Sequence, residues 1–328
     1  MHSPLPSSDS QYQPFSLKAA KELAAPQTWS ASVATILVGG ALVYACKGAG
    51  FGPAAFTPRA LLVWLLMLLA TVLMQAAINT FNDYRDFGKG TDSVETIVDE
   101  TDAAIVYHHL DPKSALHFGV GLLLVAAVFG LAVVALSNWV TLVWGAVAVL
   151  GLLAYAFGPK PLSDLPVGEV VSGVWLGGIT VWATFYAMTL APPPTVIFAA
   201  LPMIIFVGLI MLMNNTQDIE RDREAGRLTL AGVLGWRAST ILMVVCGVFA
   251  YVCLATLVLW QAALGAWPVW LLMLPLFGLI WSAKGWQRML QKGNYTPELR
   301  SPMMGLANIM TYKCGIVMIV TCVLGGLL

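Results

Sequence analysis

Two short stretches of this chain carry acids and amides at helical spacing. In NTFNDYRDFGKGTD, Asn79, Asn82, Asp83 and Asp86 follow Gln75; positions 75, 79 and 83 are four apart, so these groups share one helix face. In NNTQDIERDREAGRLTLAGVLG, Asn214, Asn215, Asp218 and Asp222 repeat the pattern, with 214, 218 and 222 four apart. Asn79 with Asp83 and Asn214 with Asp218 thus form one N-x-x-x-D pattern on two helices. Each acid taken alone also fits plain hydration at a helix end. Gln75, Asn79 and Asn214, however, begin inside apolar runs, where an amide is expensive against lipid and belongs in a cavity. Opposed carboxylates with no His or Cys among them suit Mg²⁺ better than zinc. Magnesium keeps waters and is completed by substrate phosphates, so Asp83 and Asp86 facing Asp218 and Asp222 predict two ions gripping one diphosphate.

Basic residues stand beside both clusters: Arg85 and Lys89 at the first, Arg221, Arg223 and Arg227 at the second. They are candidates for neutralising the remaining phosphate charge, and equally ordinary loop charges when taken one by one. A third stretch, YAFGPKPLSDLPVGE from Tyr155 to Glu169, has a path fixed by Gly and Pro that places Lys160 near the same mouth. Lys313 lies within the last apolar run, some nine residues or about 13 Å beyond its inner end, which is far for snorkelling and predicts a cavity-facing position. His108, His109 and His117 have no partners at ligand spacing and read as solvated loop histidines.

The elements that must position these groups follow from composition. Of 328 residues, 59% are hydrophobic and only 10% charged, too few charges for a water-facing surface. Seventeen basic and 17 acidic residues leave zero net charge, so nothing favours nucleic acid as a partner. Nine apolar runs predict nine transmembrane helices, near 28–46, 60–81, 113–136, 139–157, 169–190, 195–216, 239–261, 267–284 and 304–327. With the N-terminus in the cytoplasm, nearly all Lys and Arg fall on inner segments and only Lys47 and Arg59 outside, as the positive-inside rule requires. Both acidic clusters then face the cytoplasm, at equivalent places if a four-helix unit is repeated and followed by a ninth helix. Residues 1–27 are expected to be a polar, flexible segment, and 28–328 a single all-α membrane domain around a central cavity. The five cysteines, all in apolar stretches, read as small buried hydrophobes.

On these three stretches the chain resembles the UbiA superfamily of intramembrane prenyltransferases, and within it the dihydroxynaphthoate polyprenyltransferase branch. The resemblance rests on Asn82, Asp83, Asp86 and Asp92, on Tyr155 to Glu169, and on Asn215, Asp218, Asp222, Gly226 and Thr229. Gly90 stands where the wider superfamily has its third acid, and Asp92 supplies a GTD ending like that of the naphthoate branch. The stretch DETDAAIVYHH and Leu228 beside Arg227 depart from that branch and bear on the acceptor. The resemblance implies Mg²⁺-dependent transfer of a polyprenyl group to an aromatic acceptor at the cytoplasmic side of the cell membrane, with no obligate protein partner. Asn79, Asn82, Asn214 and Asn215 would position metal waters or phosphate, and Tyr155 with Lys160 the substrate. Other acceptors, such as hydroxybenzoate, homogentisate, a haem, chlorophyllide or a glycerol phosphate, remain open at this level. So does a nine-span transporter, although its site would be expected nearer the midplane.

Overall fold

A computed structural model of the chain describes residues 12–46, 51–89, 103–191 and 195–327, and among them every regular element is helical. In lipid only a helix or a closed barrel satisfies its own backbone, so apolar runs of this length become helices. In chain order they are α1 (Leu17–Ala24), α2 (Ser30–Ala45), α3 (Pro58–Lys89), α4 (Ala104–Tyr107), α5 (Pro112–Leu136), α6 (Trp139–Ala156), α7 (Gly168–Ser172), α8 (Thr180–Thr189), α9 (Val196–Ala199), α10 (Leu201–Gln217), α11 (Ile219–Glu224), α12 (Leu230–Ala263), α13 (Met273–Met289) and α14 (Arg300–Leu327). Among the described residues, seven helical stretches are long and apolar enough to cross a membrane, and an eighth arises if α1 and α2, bent by 52°, count as one span. The stretch expected at 195–216 is the shorter α9 and α10. This is a multi-pass membrane bundle in which the count of nine spans is approximate.

Chain ends and turns follow local chemistry. Asp111 accepts from the Lys113 N–H at 3.0 Å with Pro112 at the first helical position, and the Asn138 amide caps α6 through Val140 N at 3.0 Å. Residues 137 and 138 alone separate α5 from α6, which makes them antiparallel neighbours. Thr229 caps α12 through Gly232 N at 3.1 Å, several residues before the apolar run expected at 239. Gly235, at φ 75°, then breaks that helix, so the first turn after Thr229 is redirected before the long span begins. The segment 17–24, within the expected polar terminus, forms the amphipathic α1, whose Ala19 and Leu23 pack with Ile105 of α4 over Tyr84 and Phe87.

Two features place the functional end. Helix α3 has 32 residues, about 48 Å at 1.5 Å per residue, against a hydrocarbon layer of about 30 Å. Its last turns, which carry the first motif, therefore project past the apolar layer. Between α7 and α8 the helix passes through a π-helical stretch, Gly173–Ile179, packed on α10. A Cβ at Gly173 would lie 2.4 Å from Ile204 O, and one at Gly177 2.6 Å from Ile204 Cα. Only glycine lets these backbones approach so closely, which holds α10 and its second motif against α7. At the opposite end Arg59 staples α5 to α8, donating to Leu136 O at 2.8 Å and Met188 O at 2.6 Å.

Candidate active site

Between α2, α3, α5, α6, the α7–α8 segment and α10 lies a cavity of about 700 Å³. Its amides gather at one end, where Gln75, Asn79 and Asn82 face it with Tyr155 and Ser172, while the hydroxyls of Thr71, Thr141 and Thr180 are spread along the rest. The remaining wall is dominated by Ala, Leu, Val, Met and Trp side chains. From Met67 to Asn82 the α3 wall runs about 22 Å along the helix. A Cβ built on Gly130 or Gly145, on the facing walls α5 and α6, would meet nothing within 4 Å. Val120, Val125, Val128, Val143 and Leu150 on the same two helices lie off the cavity wall and are exposed on the protein surface, as lipid-facing residues should be.

The two motifs meet at the polar end through the turn before α7. The Arg85 guanidinium donates to Ser163 Oγ at 2.6 Å, lies 3.6 Å from Asp164 Oδ1, and pairs with Asp86 Oδ1 at 3.0 Å. From the other side, Arg227 Nε stands 3.2 Å from the same Asp164 oxygen, and its Nη1 3.0 Å from Asp222 Oδ1. Leu228 N also donates to Asp164 O at 3.0 Å. Asp86, Arg85, Asp164, Arg227 and Asp222 thus form one chain of alternating charge that ties α3 to α11. Three acids against two bases leave this chain net negative. Thr229 Oγ1 donates to Asp222 Oδ2 at 3.4 Å. Beside it, Asp218 is held by Arg300 (2.7 Å) and Arg221 (3.3 Å), with Arg300 also 3.3 Å from Asn214 Oδ1.

Asp222, 1% exposed, shows the cost of this arrangement. Burial pushes its carboxyl from 3.8 to about 6; Arg227 opposes the rise, while Asp218 and Asp86 add to it. For Asp218 burial also pushes upward, but the charge and hydrogen bond of Arg300, with Arg221 and Arg227, outweigh it and hold the group below its ordinary range. Arg227 is favoured as a cation by Asp222, Asp86 and Asp164 against its own burial. The carboxylates therefore repel one another across a shared space, which a divalent cation would relieve.

The residues fit magnesium in kind. Every donor is an oxygen, and buried Asn82 Oδ1 has no hydrogen-bond partner. Among the described residues no three His, Cys, Asp or Glu form a ready-made cage, because the acids stand on arginines and backbone N–H groups. An ion that needs only one or two carboxylates plus phosphate oxygens and waters suits such a site, whereas a fully protein-caged ion does not.

Not every expected residue joins this centre. Asp83 accepts from Ala104 N at 2.9 Å and Ile105 N at 3.4 Å, so its carboxylate is engaged at the start of α4. Asn79 lines the cavity but spends its amide on Ala24 O (3.1 Å) and Thr28 Oγ1 (2.9 Å). Asp218 ends α10 in a non-helical conformation, so the second stripe is broken between Gln217 and Ile219 rather than continuous. Asn215 turns to Glu169, donating at 2.8 Å, and the same Glu169 oxygen accepts from Leu230 N at 3.1 Å. Lys160 is exposed, and Arg223 pairs with Glu220 at 3.1 Å on the outer surface. Lys313 does not line the cavity: its ammonium donates to Trp281 O at 2.9 Å and sits 5.1 Å over that ring, on α13. His108 pairs with the buried Glu22 of α1 instead of standing in solvent. The Lys89 side chain and Asp92 lie outside the described residues. The cysteines are all free thiols.

Four participants escape sequence reasoning: Ser163, Asp164, Glu169 and Arg300. The first three lie within the third stretch, where two acids in the turn between two apolar runs are the available signal. Arg300 has only its place immediately before the last span.

The membrane bundle thus sets interlocked acids and arginines beside the polar end of a largely apolar cavity. Residues 32–306 match the model of the UbiA prenyltransferase family, and the chain belongs to that family of prenyltransferases. It is 32% identical over 242 residues, 74% of each chain, to the 1,4-dihydroxy-2-naphthoate octaprenyltransferase of Bacillus subtilis (strain 168). To the enzyme of that name from Haemophilus influenzae it is 31% identical, over 65% of this chain and 68% of that one. The fold is shared with the apo structure of a UbiA homolog from Aeropyrum pernix K1, at a TM-score of 0.60 and 16% identity over 89% of this chain and 97% of that one. A UbiA homolog from Archaeoglobus fulgidus, solved bound to GPP and Mg²⁺, gives a TM-score of 0.58 at 16% identity over 92% and 99%.

Proposed function

We propose that this chain transfers the prenyl group of a polyprenyl diphosphate to 1,4-dihydroxy-2-naphthoate, with Mg²⁺ as cofactor, at the cytoplasmic face of the cell membrane. The observation that carries this reading is the alternating Asp–Arg chain at the polar mouth of a largely apolar cavity. The naphthoate acceptor is supported by the B. subtilis relative, and the orientation by the gathering of Lys and Arg on the predicted inner segments.

Burying a hydrocarbon tail is worth about 0.8 kcal/mol per CH₂, so the cavity wall draws the prenyl chain in while the diphosphate stays at the mouth. When bound, Mg²⁺ supplies positive charge to the phosphate oxygens and so makes diphosphate a better leaving group. Asp86 and Asp222, on opposite sides of the mouth, with Asp218 beside them, are the carboxylates that would hold it, and Asp83 would join them only by leaving the α4 N–H groups. Arg85 and Arg227, steered by Asp164, present guanidinium groups to the same space and stabilise charge that grows on the departing diphosphate. The allylic C–O bond breaks with its electron pair leaving on the diphosphate. The apolar wall excludes water, so the allylic carbon is taken by the electron-rich ring instead. The ring bonds to the prenyl carbon and its carboxyl group leaves as CO₂, which restores aromaticity.

Membranes containing the protein should, with Mg²⁺, a polyprenyl diphosphate and dihydroxynaphthoate, yield a prenylated, decarboxylated naphthalenediol detected by mass. Equal product from Asp86→Asn and Asp222→Asn membranes would defeat the metal assignment. Preference for another aromatic acceptor would correct the acceptor alone.

A further inference from the structure

Arg300 opens α14 and reaches back to the end of α10. Its Nη2 lies 2.7 Å from Asp218 Oδ2 and its Nε 3.2 Å from Oδ1, so both carboxylate oxygens are taken in a bidentate grip. Side-chain exposures of 15% and 7% show a pair that has surrendered most of its water. A charge pair so desolvated separates at high cost unless each member finds a new partner at the same moment. The replacements are complementary: a divalent cation satisfies the carboxylate, and phosphate oxygens match the planar guanidinium fork as well as a carboxylate does. A metal–diphosphate complex brings both together, whereas the metal alone brings only one.

Arg221, the other base on Asp218, is three residues away along the same segment and moves with it. Arg300 comes from a separate element, the first residue of α14, and is preceded by a largely exposed connector, residues 290–299, with two short helical turns, Lys292–Asn294 and Pro297–Leu299. It is therefore the partner that can withdraw without unwinding α10 or α11.

We propose that Arg300 is an exchangeable stand-in for the metal: it holds Asp218 until a metal–prenyl diphosphate complex arrives, then passes from the carboxylate to the diphosphate. The inference rests on the reading of Asp218 as a metal-holding residue. Its consequence is that metal binds weakly by itself and diphosphate strengthens it, each helping the other by the same factor.

The test uses purified full-length protein in detergent micelles, with Mn²⁺ as a spin probe and inorganic diphosphate as the anion. The wild-type protein should bind Mn²⁺ weakly alone and about tenfold or more tightly with diphosphate, a coupling of ~1.4 kcal/mol. Arg300→Gln should bind Mn²⁺ alone about tenfold more tightly than wild type, lose most of the diphosphate enhancement, and raise KM for prenyl diphosphate at saturating Mg²⁺. A purely structural role would lower metal affinity and melting temperature together. Arg300→Lys, which keeps the charge but cannot grip both oxygens, should shift Mn²⁺ affinity in the same direction by less, and decides the matter if the Gln variant does not fold. Unchanged or weakened Mn²⁺ affinity in a folded variant overturns the proposal while leaving the proposed function standing. Failure of the wild-type protein to bind either probe overturns both.

Discussion

Replacing Asp222 by Asn should make the metal-free protein more stable while destroying its activity. Asp222 is 1% exposed, and burial, reinforced by Asp218 and Asp86 against the pull of Arg227, lifts its carboxyl from 3.8 to about 6. In the unfolded chain the group titrates at its ordinary value. The fold therefore favours the protonated acid: that contribution is complete below pH 4 and is lost as pH rises through 6. At pH 8 the ionised carboxylate costs the fold ~3 kcal/mol, at 1.36 kcal/mol for each pH unit of displacement. Asn keeps the shape without the charge, and Arg227 retains Asp164 at 3.2 Å. In EDTA at pH 8, Asp222→Asn should gain up to ~3 kcal/mol, roughly 2–4 °C in apparent Tm per kcal/mol. At pH 4 the two proteins should melt together. The assay is thermal unfolding in detergent at fixed scan rate across pH 4–8, beside Mg²⁺-dependent turnover. A variant less stable than wild type at pH 8, or a difference that does not change with pH, refutes the electrostatic reasoning. The strain would be a case of stability given up for a site that awaits its cation.

Three further outcomes follow from the geometry. Gly145→Phe, placed about 15 Å along α6 from Tyr155 where a side chain meets open space, should slow turnover of octaprenyl diphosphate about tenfold or more while sparing geranyl diphosphate; equal loss with both donors counts against the cavity as tail site. Asp164→Ala releases Arg85 and Arg227 from their common anchor, yet each keeps Asp86 or Asp222, so KM for prenyl diphosphate should rise about tenfold, ~1.4 kcal/mol, with a smaller change in kcat; an unaltered KM means the arginines are positioned otherwise. Lys313→Met, off the cavity on Trp281, should leave kcat and KM within about twofold, and a loss beyond tenfold would return this lysine to the substrate path.

Much of this architecture is legible because lipid imposes a simple code. Each expected apolar run corresponds to helix, and the Ser137–Asn138 link does join antiparallel neighbours. The polar stripe of α3 does face a cavity, as the cost of amides in lipid demands. What the sequence hides is partnership across distance. Asp164 matters because two arginines, 79 and 63 positions away, converge on it, and no local pattern announces that. Arg300 reads as one more inner-loop charge until the fold brings it to Asp218. Lys313 shows the reverse error: depth in a span was legible, but the helix face was not, and a backbone carbonyl of α13 answers the cation without any cavity. The first motif's Asp83 and the second motif's Asp218 are equivalent in pattern and different in company, one engaged by α4 N–H groups and the other by guanidinium groups.

On the proposed function, the Asp–Arg mouth works on a diphosphate whose tail lies in the apolar cavity. The most direct measurement is product formation and diphosphate release by purified protein given a polyprenyl diphosphate, dihydroxynaphthoate and Mg²⁺, followed by mass and phosphate assay with and without EDTA. Equimolar prenylated product and diphosphate are expected, both abolished by EDTA and restored by Mg²⁺. Release of diphosphate without any prenylated acceptor, or product formation that EDTA leaves untouched, would contradict the proposed function.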